Sequence, residues 1–382
     1  MEDKNKDLLL KSHLRTEHPF TMWEQIHSAP DILRGCLKDD VVLTVKTVAK
    51  AIVDRNTEEV IFTGTGTSFY SGLIGEYGLA ELAGMSARFM TSHELKNYPP
   101  SRLNEQSVMV GISHSGGTLV GAEALQLAKD KGALTVAITD VPGSRMANIA
   151  EYSIIGPGGQ DTTIPKTRSY MSGIFRVLML VVAIADVKRP GTWEVWMKYF
   201  EQTPRELEKV IALADEATPK LAEKFLKTKA FYCISYGVNL MTAQESALKL
   251  LEASLAMAQG LQAEEAIHGP LTALDENCAL VLIAPPGKGY ERVERVAKGI
   301  HHFGVPILSL ADPESEIRLS SDYFIGIQSD LPELLSPLLY IAPLYLLSYW
   351  IALHNKINPD ILKSDNSRWV EAHLLMMPPG SH

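Results

Sequence analysis

Short runs of hydrophobic, often β-branched residues alternate along the chain with longer stretches whose apolar residues recur every three to four positions. The short runs are 59–63, 107–112 and 134–139, and later 230–235, 279–284, 305–310 and 322–327. Helical periodicity covers 69–83, 118–131 and 168–186, and later 239–258, 290–303 and 334–354. Uninterrupted apolar strands that alternate with helices are typical of parallel sheets buried on both faces. We therefore predict an α/β protein with two doubly wound parallel sheets in tandem.

The domain boundaries follow from the point at which this pattern starts again. A charged, helix-periodic stretch separates the two halves and begins near Arg189-Pro190-Gly191. We predict an N-terminal helical segment at 1–40, a first α/β domain at 41–190, a helical connector at 191–229, a second α/β domain at 230–355 and a C-terminal tail at 356–382. The length of 382 residues fits about two domains of ordinary size.

Composition narrows the function classes. The 36 basic residues against 45 acidic ones give a net charge of −9, which argues against nucleic-acid binding. The three cysteines are too widely spaced for a disulfide framework or a zinc site, and the segment up to Thr16 is too polar for a signal peptide. The uncharged segment 334–353 is long enough to span a bilayer, but its two prolines and several hydroxyls favour a buried helix. We expect a cytoplasmic protein with no membrane partner.

Two glycine- and hydroxyl-rich loops follow the first two strands of the first domain. The loop at 64–68 reads Gly-Thr-Gly-Thr-Ser, and the loop at 113–118 reads Ser-His-Ser-Gly-Gly-Thr. Both precede helices, whose N-termini favour anions, although serine and threonine are also ordinary helix caps. The corresponding turns of the second half, 236–239 and 285–288, lack the hydroxyl cluster. We therefore predict one phosphate-type anion site per chain, in the first domain.

Three charged residues share one face of the first helix of the second domain. Glu245, Lys249 and Glu252 are spaced four and three apart among alanine, leucine and methionine. A solvated helix face can show the same spacing, but charges in an apolar setting can act as acid or base. His268 follows in a Gly-Pro turn and is a candidate proton shuttle.

The ordered set of motifs resembles the sugar isomerase (SIS) domain family. The motifs are Gly-Thr-Ser at 66–68, Ser-x-Ser-Gly-x-Thr at 113–118, Glu-x-Ala-Leu-Lys-x-x-Glu at 245–252 and His-Gly-Pro at 268–270. The resemblance runs from about Trp23 to Arg368, and the architecture is similar to the isomerase half of glucosamine-6-phosphate synthase, which has two SIS domains. It implies two flavodoxin-like SIS domains and a C-terminal tail at the active site.

The resemblance also implies roles for individual residues. Glu252 matches the base that moves a proton between C1 and C2, Lys249 a lysine near the sugar oxygens, and His268 a ring-opening histidine that reaches a neighbouring subunit. A homodimer is therefore expected. The implied substrate-binding residues are Thr67, Ser68, Ser113, His114, Ser115, Thr118, Lys166, Arg168, Glu245 and Arg368. No metal and no cofactor are expected.

Three departures from the family pattern bear on the reaction. His114 stands where relatives often have glutamine, which adds a group that can become cationic beside the anion. Lys166 and Arg168 enlarge the basic patch of the substrate loop, unless they are helix-start and surface charges. Ala372, followed by His373, stands where the synthase has a lysine, and no glutamine-hydrolysing domain is recognisable, so we expect no glutamine-dependent amination.

These features predict an aldose–ketose isomerase of a six-carbon sugar that carries a terminal 6-phosphate or 6-sulfonate. The proton would move between C1 and C2 through an enediol, with a small anionic sugar as the partner. An amino-sugar-6-phosphate deaminase or a fructosamine-6-phosphate deglycase would use the same base and anion site. A non-catalytic sugar-phosphate sensor would need the anion site alone.

Overall fold

The computed structural model describes residues 15–161 and 163–378, which form two compact units. Of the described residues, the first unit takes in 15–21, 28–161, 163–202 and 363–378. The second unit takes in residues 22–27 and 203–362. This grouping differs from the predicted boundaries, because the helical connector is divided between the units and the final helix belongs to the first. Residues 1–14 of the predicted N-terminal segment lie outside the described residues.

The first unit is built around five parallel strands. Its strands are β1 (Glu59–Gly64), β2 (Ser86–Thr91), β3 (Ser107–Ile112), β4 (Leu134–Thr139) and β5 (Tyr152–Ile155). Its helices are α2 (Asp39–Asp54), α3 (Thr67–Gly78), α4 (Ser92–Asn97), α5 (Leu119–Asp130), α6 (Arg145–Ile149) and α7 (Arg168–Lys188), with α13 (Ser367–Met376) in the tail. A π-helical turn, Leu79–Ala83, extends α3. Helices α1 (Thr21–Cys36) and α8 (Thr192–Lys224) cross the boundaries of the two units.

The second unit repeats this arrangement. Its strands are β6 (Ala230–Ser235), β7 (Met257–Gln262), β8 (Cys278–Ala284), β9 (Ile307–Ala311) and β10 (Tyr323–Gly326). Its helices are α9 (Leu240–Ala253), α10 (Ala263–Ile267), α11 (Tyr290–His301) and α12 (Ser336–His354). Short 3-10 turns lie at Gly237–Asn239, Pro270–Ala273, Glu316–Ser320 and Glu333–Leu335.

The two sheets share one topology. The first has the order β2-β1-β3-β4-β5 and the second, read from its other edge, β7-β6-β8-β9-β10. Both are the 2-1-3-4-5 order of flavodoxin-like folds, in which ligands bind at the carboxyl ends of the strands where the strand order reverses. The predicted pair of doubly wound parallel sheets is therefore confirmed, and the order places the reversal between β1 and β3 in the first sheet.

The central strands and the edge strand β10 match predicted runs, whereas the edge strands β2, β5 and β7 do not. Every residue of β3 and β8 is buried, as expected for strands covered by helices on both faces. Strands β2 and β7 contain exposed and half-buried residues and no fully buried one, and they were not predicted. The helix expected over 239–258 ends at Ala253, because Leu255 adopts a φ of +56° and turns the chain into β7.

Two apolar helices are long enough to cross a bilayer. They are Arg168–Lys188 and the segment Glu333–His354, and 89% and 94% of their most apolar windows are buried inside the protein. Such burial is what core helices of α/β domains show. The prediction that residues 334–353 form a buried helix is therefore confirmed.

Candidate active site

The two hydroxyl-rich loops lie side by side at the strand-order reversal of the first sheet. Strand β1 ends at Gly64 and α3 begins at Thr67, while β3 ends at Ile112 and α5 begins at Leu119. Because β1 and β3 are neighbouring parallel strands, both loops lie at the carboxyl ends of the strands, on the same side of the sheet. We call the segments 64–68 and 113–118 the anion loops.

The hydroxyls of the anion loops do not cap the helices that follow. The N-cap residues of α3 and α5 are Gly66 and Thr118, and neither helix has a side-chain N-cap hydrogen bond among the described residues. The N–H groups of the first helical turns are therefore not taken up by loop hydroxyls. In α3 the Ser68 and Phe69 N–H groups donate to the carbonyls of Thr65 and Gly66 at 3.3 and 2.9 Å. An anion at this position would therefore meet chiefly the positive ends of two helix dipoles.

The second loop is held in a tight, preformed turn. Ser113 Oγ accepts a hydrogen bond from the Gly116 N–H at 3.2 Å and lies 3.2 Å from Thr118 Oγ1. Ser115 Oγ accepts one from the Gly117 N–H, also at 3.2 Å. Gly116 has a φ of +59°, and a Cβ there would fall 2.0 Å from Ser144 Oγ, so the turn requires glycine.

A polar cavity opens beside these loops within the first unit. Side chains from α3, the second anion loop and the start of α7 line it, including Thr67, Ser68, His114, Lys166 and Ser169. Ser169 Oγ is buried without a hydrogen-bond partner in the described part of the chain. Such an unsatisfied hydroxyl is costly unless a ligand or water uses it, so Ser169, which the sequence did not single out, is a candidate ligand contact.

His114 is bound by the protein through both ring nitrogens. Nδ1 lies 3.0 Å from Asp140 Oδ2, and Nε2 accepts the backbone N–H of Asp161 at 2.8 Å. Nε2 also lies 3.6 Å from Asp161 Oδ2, so the ring stands between two carboxylates. His114 thus links the second anion loop to the segment before α7. The expectation that it adds a group that can become cationic beside the anion stays a prediction.

Arg176 and Asp140 form a buried ion pair beneath His114. Arg176 lies in the middle of α7, and its guanidinium donates to Asp140 Oδ1 at 2.9 Å and to the carbonyls of Thr139 and Ile154 at 2.6 and 3.0 Å. Burial alone would raise the pKa of the Asp140 carboxyl, but Arg176 and His114 outweigh it and hold that pKa below its usual value. Neither residue was predicted from the sequence, although a single arginine in an apolar helix is a visible signal.

The two basic residues of the predicted patch have different surroundings. Arg168 donates to Asp161 Oδ1 at 2.8 Å, to Gly158 O at 3.1 Å and to Ser28 Oγ at 3.4 Å, so it fastens the loop before α7 and is not among the cavity residues. Its assignment as a direct substrate contact stays a prediction, beside the alternative of a helix-start charge. Lys166 does line the cavity, and its Nζ donates to Thr163 O at 2.5 Å.

The three charged residues of α9 meet within the second unit. Lys249 Nζ lies 3.3 Å from Glu245 Oε1 and donates a hydrogen bond to Glu252 Oε2. Glu245 and Lys249 are fully buried, whereas the Glu252 side chain is 22% exposed. We call these residues the carboxylate–lysine cluster. Its arrangement excludes a solvated helix face and leaves Glu252 as the member that a ligand can reach.

Burial sets the ionisation of this cluster. It raises the pKa of Glu245 to about 7, with Lys249 and a hydrogen bond from Tyr345 acting in the opposite direction. Burial would lower the pKa of Lys249, but the two carboxylates outweigh it and hold that pKa above its usual value. Lys249 therefore remains a cation at neutral pH, while Glu245 titrates there.

Glu245 faces the protein interior. Its Oε1 accepts a hydrogen bond at 2.9 Å from the hydroxyl of Tyr345, which lies on α12 and is fully buried. This corrects the assignment of Glu245 as a substrate-binding residue, because its carboxylate is inaccessible and contacts Lys249 and Tyr345. No sequence signal linked Tyr345 to a residue 100 positions away.

The two remaining candidates are exposed. His268 ends α10 and precedes Gly269, whose φ of +146° turns the chain sharply. Arg368 lies in the first turn of α13, whose N-cap Asn366 accepts the Trp369 N–H at 3.1 Å. Within residues 15–161 and 163–378, no group of three or more His, Cys, Asp or Glu side chains is arranged to hold a metal ion.

Comparison with known proteins identifies the relatives of this chain. Residues 55–183 match the model of the SIS domain. The chain is 29% identical over 346 residues to the glutamine–fructose-6-phosphate aminotransferase (isomerizing) of Thermococcus kodakarensis, covering 90% of this chain and 56% of that protein. It is 31% identical over 347 residues to the enzyme of the same name from Methanothermobacter thermautotrophicus, covering 89% and 55%. The chain thus spans about half the length of these curated relatives.

Solved structures share the fold. The C-terminal domain of glucosamine-fructose-6-phosphate aminotransferase from Francisella tularensis superposes with a TM-score of 0.81 at 21% identity, covering 90% of this chain and 98% of that one. Tagatose-6-phosphate ketose/aldose isomerase from Escherichia coli gives a TM-score of 0.75 at 17% identity, covering 90% and 95%. The chain therefore contains an SIS domain and is homologous to the isomerase domain of glutamine–fructose-6-phosphate aminotransferases.

Proposed function

We propose that this protein is an aldose–ketose isomerase of a six-carbon sugar that carries a terminal anion, a 6-phosphate or a 6-sulfonate. The observation that carries the proposal is the carboxylate–lysine cluster, in which a buried cation contacts one buried carboxylate and one that a ligand can reach. A sensor that only binds sugars needs no such pair of a base and a cation. The relatives support the isomerising step, and their glutamine-dependent amination is not part of the proposal.

The proposal assigns binding of the anion to the first unit. Ser68, Ser113, Ser115 and Thr118 would donate their hydroxyl hydrogens to the anion, together with N–H groups at the starts of α3 and α5. Lys166 and Ser169 line the adjoining cavity and would add a cation and a further hydroxyl. His114 would keep the second anion loop in place through its contacts with Asp140 and Asp161.

The proposal assigns proton transfer to Glu252. Its carboxylate would take the proton from C2 of the open-chain aldose, and the electrons of that C–H bond would form the C1–C2 double bond of an enediol as O1 gains a proton. Return of the Glu252 proton to C1, with loss of the O2 proton, would give the ketose. The Lys249 ammonium would stabilise the negative charge that develops on the sugar oxygens.

An assay panel analysed by mass spectrometry tests this function. The purified protein is incubated with sugar 6-phosphates, amino-sugar phosphates, fructosamine phosphates and a 6-sulfonated hexose. Interconversion of an aldose and a ketose of the same mass is the expected result. Release of ammonia or of an amine would replace the proposal with the deaminase or the deglycase reaction. Binding of a sugar phosphate without any turnover would indicate a sensor.

Replacing Ser113 and Ser115 together with alanine is expected to raise KM by about 10²–10⁴-fold, because each of the two lost hydrogen bonds to a charged ligand costs about 1.5–3 kcal/mol. The value of kcat should change less than tenfold, since the anion is bound equally in the ground and transition states. Steady-state kinetics on the substrate identified above provide the measurement. Ser153→Ala, which removes a hydroxyl of β5 bonded to Ala147 O, is the control and should leave KM unchanged. An unchanged KM in the double variant would contradict the assigned anion site.

We further propose that the protein acts as a homodimer in which His268 serves the site of the partner subunit. His268 lies on an exposed turn that also exposes Ile267. Mixed His268→Ala and Glu252→Gln subunits should then recover activity, because a mixed dimer contains one complete site. With equal amounts of the two variants, about half of the dimers would be mixed, and each would have one complete site of two. Roughly a quarter of the wild-type activity would therefore be recovered. Failure of unfolded and refolded mixtures to recover activity, when wild-type protein recovers it, would contradict this arrangement.

A further inference from the structure

The cluster in the second unit has an inner and an outer carboxylate, and they have different neighbours. Glu252, the outer one, is reachable and binds Lys249. Glu245, the inner one, is fully buried and has its Oε1 atom shared between Lys249 at 3.3 Å and the Tyr345 hydroxyl at 2.9 Å. The inner carboxylate therefore cannot touch a substrate, but it shares Lys249 with Glu252.

We propose that Tyr345 is a positioning residue that keeps Glu245 ionised, so that Lys249 is shared between two carboxylates and Glu252 remains basic enough to accept the substrate proton. This inference rests on the proposed function. If Glu245 binds a proton, the whole Lys249 charge acts on Glu252, and Glu252 becomes a weaker base. The Tyr345 hydroxyl opposes that state because it donates its hydrogen to the ionised carboxylate.

The groups that act on Glu245 come from few elements. Helix α9 packs against α12, β6, β7 and the turn Gly237–Asn239. Helix α12 contributes Tyr345, and α9 contributes Lys249 and Glu252. Strand β7 and the turn carry no titratable side chain. Strand β6 carries Tyr232 and Cys233, and burial raises the pKa of the Cys233 thiol to about 12. Since burial raises the pKa of Glu245 to about 7, its titration falls in the range where activity is measured.

The test is the pH dependence of kcat/KM for Tyr345→Phe. Loss of the hydroxyl is expected to move the acid limb of the profile upward by about one pH unit, with the plateau kcat and KM at high pH within about threefold of wild type. Tyr340→Phe is the matched control, because Tyr340 is buried on the same helix and its hydroxyl has no partner in the described ranges. Its profile should overlay that of wild type. Overlay of the Tyr345→Phe profile, or an equal loss of activity at every pH, would overturn the inference.

A second readout does not depend on turnover. The pKa of Glu245 in the folded protein lies above its usual 4.5, so the folded state binds this proton more tightly than the unfolded chain does. The contribution of Glu245 to the free energy of unfolding therefore falls as pH rises from about 4.5 to 7. In Tyr345→Phe the fall should continue about one pH unit further, and in Glu245→Gln this component should vanish. Thermal unfolding across pH 4–9 measures both. If stability falls over the same pH range in Tyr345→Phe as in wild type, the inference is contradicted. Absence of turnover in wild type contradicts only the proposed function.

Discussion

Replacing Glu252 with glutamine is expected to lower kcat by about 10²–10⁴-fold, because the amide cannot take a proton from carbon. The dissociation constant for the substrate should change less than tenfold, since a general base acts mainly in the transition state. The two quantities are measured by steady-state kinetics and by calorimetric titration of the variant. Glu252 is the accessible carboxylate of the cluster, so this variant tests the assignment directly.

Glu276→Gln is the control for this change. Glu276 is exposed on the turn before β8, at the amino end of the strand, and its loss should leave kcat and binding unchanged. Wild-type turnover in Glu252→Gln would show that another group moves the proton. An equal loss of binding and of turnover would mean that Glu252 holds the substrate and does not act as the base.

Replacing Arg176 with methionine is expected to destabilise the first unit by about 3–5 kcal/mol, the typical cost of leaving a buried charge without its partner. The change strands Asp140 and removes the donors to the Thr139 and Ile154 carbonyls. Because the folded pKa of Asp140 lies below its usual 3.8, the pair stabilises the protein above about pH 4, and that contribution is lost as pH falls further. Urea unfolding at pH 7 and at lower pH provides the measurement.

A surface-charge control and a double variant show whether the loss in Arg176→Met comes from the buried ion pair. Arg145→Met removes an exposed charge of α6 and should alter stability by less than about 0.5 kcal/mol. The double variant Arg176→Met/Asp140→Asn should recover part of the loss, because the second change removes the stranded charge. A loss of under 1 kcal/mol in Arg176→Met would contradict the view that this pair is an essential part of the scaffold beneath the anion loops.

The central strands were predictable from sequence because both of their faces are buried. Residues 107–112 read as one apolar run, and the structure buries all six. The edge strand Met257–Gln262 contains glutamine and glycine and exposes part of its length, so its pattern carries no strand signal. Alanine, leucine and methionine before it favour a helix locally, but the left-handed Leu255 ends α9 and the chain pairs with β6 instead.

The candidate site was predictable as far as its groups are close in sequence. The spacing of Glu245, Lys249 and Glu252 placed them on one helix face, and their burial agrees with the apolar setting that the sequence indicated. Contacts between distant segments were not predictable. Tyr345 reaches Glu245 from another helix, and Asp140 and Asp161 contact the two ring nitrogens of His114.

The proton transfer between C1 and C2 is tested most directly by solvent exchange. The wild-type protein and Glu252→Gln are incubated in D₂O with the sugar that the assay panel identifies, and deuterium at C1 and C2 is followed by nuclear magnetic resonance. The account predicts incorporation with the wild type and, with the variant, a rate reduced by about 10²-fold or more. Turnover without any exchange would require complete internal return of the proton, and exchange at equal rates in both proteins would contradict Glu252 as the base.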